Sequence, residues 1–307
     1  MGRRVDYLVV AFRDDFSLLR LQARSMARFL DPDSTGGIFV VNNDRAPAEF
    51  ARRFDRAIRP EYGALGTKVE LVPADALLSP GAGRSGYWRQ QGAKLRGYRL
   101  GREPAYVTLD CKNILIRPVG AASFFAADGR LAAPQRKFAG HLAGGLDYFG
   151  VPPDQRPALI VNIYTPIPLW RAQCAALDAF VAAREGFGVD ELLNRAIGDG
   201  RPRLYEFLLY GGWLHAMAGG IEAHHALQRA GLSTTYMCTT PDQTPEHVMN
   251  ELRQPRFPMM GVHRRTITAP EAVRRGFAAV WRDVGLVASE EEGMAVIANA
   301  GWGAAGG

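Results

Sequence analysis

Residues 5–12 read VDYLVVAF, a continuous apolar run rich in β-branched residues. That pattern suits a strand buried on both faces rather than one washed by solvent on alternate residues. Arg13-Asp14-Asp15 follows it, and Phe16 to Leu30 then shows helical spacing at Leu18, Leu21, Met26 and Leu30. Gly36-Gly37 leads into a second buried strand, Ile38 to Val41, which ends in Asn42-Asn43-Asp44. A helix over about 46–57 and a third strand, Lys68 to Val72, complete a β-α-β-α-β order. Such an order implies a parallel sheet with right-handed crossovers. Ligands of these sheets sit at the carboxyl ends of the strands, so 12–15 and 42–44 are the first places to look.

Beyond this opening, Pro80 to Gly86 reads as a loop of small residues and Tyr87 to Leu100 as a helix. A fourth strand, Ala105 to Leu109, ends in Asp110-Cys111-Lys112-Asn113, and a short apolar run, Ile114 to Ile116, precedes Arg117-Pro118. The second half reads as mostly helical, at about 169–183, 189–197 and 203–217. An extended stretch is expected over 258–265 and a further helix over about 270–284. With no long linker, residues 1–298 are expected to form one domain, and the Gly/Ala-rich 299–307 is expected to be a frayed tail.

The 307 residues are 47% hydrophobic and 22% charged, an ordinary globular balance. No apolar run approaches the ~18 residues of a membrane span. Met1-Gly2-Arg3-Arg4 leads directly into the first strand without the apolar core of a signal peptide, so a cytoplasmic protein is expected. Cys111, Cys174 and Cys238 have no zinc-site spacing and read as free thiols. The net charge is +6, but the basic residues are scattered rather than clustered with aromatics, which speaks against nucleic acid. Arginine supplies most of that charge; lysine occurs only at Lys68, Lys94, Lys112 and Lys137.

Four constellations could carry chemistry. Asp110 at a buried strand end would face the ligand crevice, where an acid holds a metal through hard oxygen ligands; the plainer role is to cap the following turn. Gln90 and Lys94 are four apart and share a helix face that could hold a sugar hydroxyl and a diphosphate, or simply meet solvent, with Trp88 in the core. Glu206 stands inside the apolar YEFLLYG (205–211), so it is either paired with a buried arginine or a general base whose pKa burial raises. His263, with Arg264 and Arg265, ends a strand-like segment and could reach a metal or a diphosphate; a lone histidine is more often structural. Gly81 to Gly86 matches G-x-G-x-x-G, but it does not follow the first strand directly, which excludes the dinucleotide fingerprint.

Taken in order, FRDD (12–15), WRQQGAKL (88–95), YVTLDCKN (106–113), Thr165-Pro166, YEFLLYG (205–211) and VHRR (262–265) resemble a bacterial family of glycosyltransferase-like proteins related to the GT-A nucleotide-diphospho-sugar transferases. The resemblance covers about residues 5–270. It implies a GT-A-like (Rossmann-like) α/β fold: a mostly parallel sheet flanked by helices, with a largely helical C-terminal half. It implies a nucleotide-diphospho-sugar donor and a glycan or small hydroxyl acceptor, with 1–118 as the nucleotide-binding half of the domain and 119–298 as the acceptor half. Base and ribose would lie near the first two strand ends, around Phe12, Arg13, Asp15 and Asn43. Gln90, Gln91, Lys94, Lys112, Asn113 and Arg264 would serve the rest of the donor. Asp110 would match the first acid of the D-x-D motif, His263 a late metal-binding histidine, and Glu206 a group near the acceptor. Where D-x-D has its second acid, this chain has Lys112. Either a divalent metal, manganese or magnesium, is held by Asp110, His263 and Asn113, or Lys112 and Lys94 neutralise the diphosphate themselves. A non-catalytic nucleotide- or glycan-binding protein on the same fold is the alternative.

Overall fold

Every residue of the first strand, β1 (Val5–Ala11), is buried, because the sheet it belongs to is covered on both faces. The computed structural model describes residues 2–80, 86–198, 204–229, 232–236, 245–254, 256–262 and 269–299. After β1 come α1 (Phe16–Phe29), β2 (Thr35–Asn42), α2 (Pro47–Ala57), β3 (Val69–Pro73), α3 (Gly86–Arg96), β4 (Ala105–Asp110) and β5 (Asn113–Leu115). The next elements are β6 (Leu131–Lys137), α4 (Gly144–Tyr148), β7 (Leu159–Val161), β8 (Ile167–Trp170), α5 (Arg171–Glu185), α6 (Val189–Gly198) and α7 (Glu206–Met217). The chain continues through α8 (Ile221–His224), β9 (His225–Gln228), β10 (Ser233–Tyr236), α9 (Pro245–Arg253), β11 (Met259–Val262), α10 (Glu271–Asp283) and α11 (Glu290–Ala298).

The main sheet has the order β3-β2-β1-β4-β8. β1 to β4 run parallel, and β8 closes the edge antiparallel to β4. The side-chain period of two divides β1 between two cores. Val5, Tyr7, Val9 and Ala11 pack with α1, α2 and α10, whereas Leu8 and Val10 pack with α3, α5, α6 and α7. Each such aliphatic burial stabilises by about 1.5–3 kcal/mol. Asp6 is the polar exception, 2% exposed. It holds Arg171 Nη2 at 2.7 Å and accepts the Gly37 N–H, pairing its charge at the strand end away from the crevice.

The apolar run 167–170 is a strand, not the start of a helix: Ile167 to Trp170 pair with Thr108 to Ala105, and α5 begins only at Arg171. Short strands also thread the second half, making two three-stranded sheets, β10-β11-β5 and β7-β6-β9. Cys111 and Cys174 are buried free thiols, and Cys238 falls outside the described residues, as do 81–85 and 300–307. Among the described residues, no helix is long and apolar enough to cross a membrane.

Two devices fix the helices that flank the crevice. Arg96 of α3 is buried against Asp178 of α5 (3.1 Å) and Asp190 of α6 (2.9 Å). Gly145 and Gly212 let α4 and α7 touch backbone to backbone; a Cβ at Gly145 would lie 1.8 Å from the Leu208 carbonyl oxygen.

Candidate active site

The register places Asp110 beside Val10 on β1, and Val10 beside Val41 on β2, so the carboxyl ends of these strands share one edge. Asp110 stands on that edge, and α3 and α7 bring basic and acidic partners to it. Lys94 Nζ lies 2.8 Å from Asp110 Oδ1, and Lys112 Nζ lies 2.8 Å from Asp110 Oδ2. Gln90 Nε2 donates to Oδ1 at 3.0 Å, and the Thr165 hydroxyl donates to Oδ2 at 2.9 Å. Lys94 also reaches Glu206 Oε1 at 3.2 Å, tying α3 to the first residue of α7. Gln91 completes that tie, its Oε1 accepting the Glu206 N–H at 3.2 Å.

The charges in this cluster set one another. Burial would push the Asp110 carboxyl up, but the Lys112 and Lys94 ammoniums hold it well below the usual carboxylate range. Burial works against the Lys94 charge, and Asp110 with Glu206 holds it above its ordinary value. For Glu206, burial wins over Lys94 and the carboxyl is raised. Asp15, half-buried in the turn after β1, is pushed up to about 7 by burial and then by the Asp110 charge, with Lys112 opposing.

The other expected site residues fall into two groups. Asn113 is fully buried and shapes the turn: its Oδ1 accepts the Asp110 N–H, and its Nδ2 donates to the Thr165 carbonyl. Arg13 and Asn43 form a second group at the ends of β1 and β2. Arg13 pairs with Asp44 at 2.6 Å, and Asn43 donates to the Gly86 carbonyl while accepting from Arg89 Nε. Phe12 is half-buried at the head of this turn, its carbonyl accepting the Asp15 N–H. Trp88 is half-buried rather than a core residue, and Glu206 pairs with a lysine instead of an arginine. β11 ends at Val262, whose N–H donates to the Lys112 carbonyl at 3.0 Å. His263, Arg264 and Arg265 lie outside the described residues.

The structure gives two further residues a part in holding Asp110. Thr165 holds Asp110, and Gln22 of α1, fully buried, donates to the carbonyls of Asp110 and Asn113 at 2.7 and 2.9 Å. Gln22 left a trace in the sequence as a polar residue beside the apolar stripe of α1; Thr165 stood in the Thr165-Pro166 segment of the resemblance, but nothing there tied it to Asp110.

A divalent metal is the cofactor that the D-x-D likeness suggests, and the donor set can be tested against it. An ionised carboxylate accepts at about four lone-pair sites. Asp110 already receives Lys94, Gln90, Lys112 and Thr165. Among the described residues, no group of three His, Cys, Asp or Glu side chains could hold a metal ion. The described residues around Asp110 do not fit one; His263, the other expected ligand, lies outside them.

No family model matches the chain, and neither does any curated sequence. Solved structures do match. The galactosyltransferase LgtC, crystallised with donor and acceptor sugar analogues, superimposes with a TM-score of 0.52 at 13% identity, over 94% of this chain and 100% of that one. The fold is that of the GT-A glycosyltransferases. Two further similar structures are the bifunctional glycosyltransferase WbbM, at a TM-score of 0.48 and 11% identity, and mouse xyloside xylosyltransferase 1, at 0.44 and 10%. The matches cover 85% of this chain in both cases, with 46% of the WbbM chain and 98% of the mouse enzyme. The cluster around Asp110 lies at the carboxyl ends of the parallel strands, where ligands of such sheets bind.

Proposed function

We propose that this protein transfers a sugar from a nucleotide-diphospho-sugar to a hydroxyl acceptor, with residues 1–118 holding the donor and 119–298 the acceptor. The observation that carries the reading is the Asp110 carboxylate at the end of β4, saturated by two ammoniums, an amide and a hydroxyl. A departing nucleoside diphosphate needs positive charge placed in advance. Lys112 is suited to supply it, since its side chain is 27% exposed against 6% for Lys94. When Lys112 turns to the diphosphate, Asp110 keeps Lys94, so no buried charge is left alone. Glu206, raised by burial, takes the proton of the acceptor hydroxyl as it attacks the anomeric carbon. No step runs through a metal.

The same saturation of Asp110 supports a second reading, a non-catalytic nucleotide- or glycan-binding protein. The two are separated by incubating the protein with UDP-, GDP-, CMP- and dTDP-sugars and following nucleotide release with and without simple glycosides. Transfer predicts release from one donor and a loss of about 100-fold or more in Asp110→Asn at retained fold. Release that is unchanged in Asp110→Asn would overturn the assignment; binding without release would establish the second reading.

A further inference from the structure

Three aromatic rings stand together where α3 and α7 begin. Tyr87 meets Trp88 edge to face with centroids 4.9 Å apart, and Trp88 lies nearly parallel to Tyr205 at 6.2 Å and 8°. Tyr205 immediately precedes Glu206, so this ring cluster adjoins the polar one. Tyr87 is 56% exposed, a large ring that the fold leaves uncovered. Its hydroxyl lies within the field of the site: partial burial, then the Glu206 charge, pushes the phenol up to about 12.

Gln91 supplies an independent observation. It lies one turn from Tyr87 on the same face of α3 and is 2% exposed. Its Oε1 is taken by the Glu206 N–H, yet its Nε2 donates to nothing. A buried amide donor without an acceptor is costly, and a ligand oxygen at this point relieves it.

Resting on the glycosyl-transfer reading, the geometry points to a subsite for the pyranose ring of the acceptor, built from Tyr87, Trp88, Tyr205 and the Gln91 amide. A pyranose has an apolar C–H face and a rim of hydroxyls. The face lies on the Tyr87 ring and the reacting hydroxyl turns to Glu206; Gln91 Nε2, sealed in the free protein, donates to a ring oxygen or hydroxyl as the packing over it opens to seat the sugar. A nucleobase also stacks on aromatic rings, and Gly86 and Arg89, on either side of Tyr87 and Trp88, bond to Asn43 at the end of β2; what favours the acceptor is that Tyr205 stacks on Trp88 and directly precedes Glu206, the group assigned to it.

The test uses the full chain, with saturation-transfer NMR and tryptophan fluorescence. The probes are the methyl glycosides of glucose, galactose, mannose and N-acetylglucosamine, and separately UDP, GDP, CMP and dTDP. At least one glycoside binds. Tyr87→Ala weakens it by about fivefold or more and Tyr87→Phe by no more than about twofold, while nucleotide affinity stays constant. Far-UV melts confirm that both variants are folded. If a nucleotide binds but no glycoside does, the subsite is overturned and the transferase reading stands. If Tyr87→Ala weakens the nucleotide and not the glycoside, the ring serves the base and the inference fails. If no nucleotide binds the wild type, the transferase reading fails with it.

Discussion

Asp15 is half-buried in the turn after β1, with a carboxyl pushed up to about 7 by burial and by Asp110, against an ordinary 3.8. A folded-state pKa above the unfolded one means that the folded chain holds the proton more tightly. The stability this confers is complete below the unfolded value and is lost as pH rises through the folded one. Asp15→Asn keeps a neutral side chain at every pH. We therefore expect urea midpoints of variant and wild type to coincide near pH ~4, to diverge up to pH ~7 with the variant the more stable, and to stay apart above it. A constant gap across that range would show that Asp15 keeps an ordinary pKa. Among single residues, the place of Asp110 at a strand end was legible in the sequence, because the buried apolar run of β4 stops at it. Lys94 and Glu206 were each suspected, but their pairing was not, since 112 positions separate them and only the packing of α7 on α3 brings them together. Asn113 misled for a related reason: a polar residue beside a site can spend both ends of its amide on the turn that shapes the site.

Helix α3 carries Gln90, Gln91 and Lys94 on one side and Arg96 on the other, so its placement sets the geometry at Asp110. Arg96 joins it to α5 and α6 through Asp178 and Asp190, which are 4% and 3% exposed. Without Arg96 both carboxylates stay desolvated; among the described residues Asp178 keeps Arg99 at 3.3 Å and Asp190 keeps only the Ser79 N–H and hydroxyl, and breaking such a buried pair costs about 3–5 kcal/mol. Arg96→Met should therefore lower the unfolding free energy by about that amount, read from the urea midpoint at unchanged slope. A loss below about 1 kcal/mol would mean that water reaches the pair and that α3 is held by its apolar face alone. At this scale the sequence showed β1 to β4 and α1 to α3 clearly, because long apolar runs and helical spacing carry the signal. It began the helix at about 169, two residues inside β8, because Ile167 to Trp170 is a short apolar run joined directly to a helical pattern, and periodicity cannot separate the two. In the small sheets the sequence showed β11 as the extended stretch 258–265 but neither the seven-residue β6 nor the short β7, β9 and β10, whose partners are distant in sequence.

Across the whole molecule, the positive charge is mostly arginine, and the cations nearest Asp110 are two of the few lysines, Lys94 and Lys112. A point charge on a flexible stem can leave one carboxylate for a phosphate, whereas a planar guanidinium is better suited to a fixed bidentate pair. A ligand that binds only the folded chain stabilises it by mass action, about 2.7 kcal/mol at 100 times its Kd, or several degrees in melting temperature for a domain of this size. If Lys112 provides the charge, the nucleotide-diphospho-sugar that fits will shift the melting temperature equally in manganese and in excess chelator. Lys112→Ala should abolish most of that shift in both buffers, because the diphosphate then meets only Lys94, which Asp110 and Glu206 already hold. Lys112→Arg should restore part of it, since the charge returns in a different shape. A shift that needs manganese and disappears in chelator would place the charge on a metal, with Asp110 releasing a lysine to receive it. The melting curves of wild type and Lys112→Ala in the two buffers therefore decide between a lysine and a metal as the partner of the leaving group.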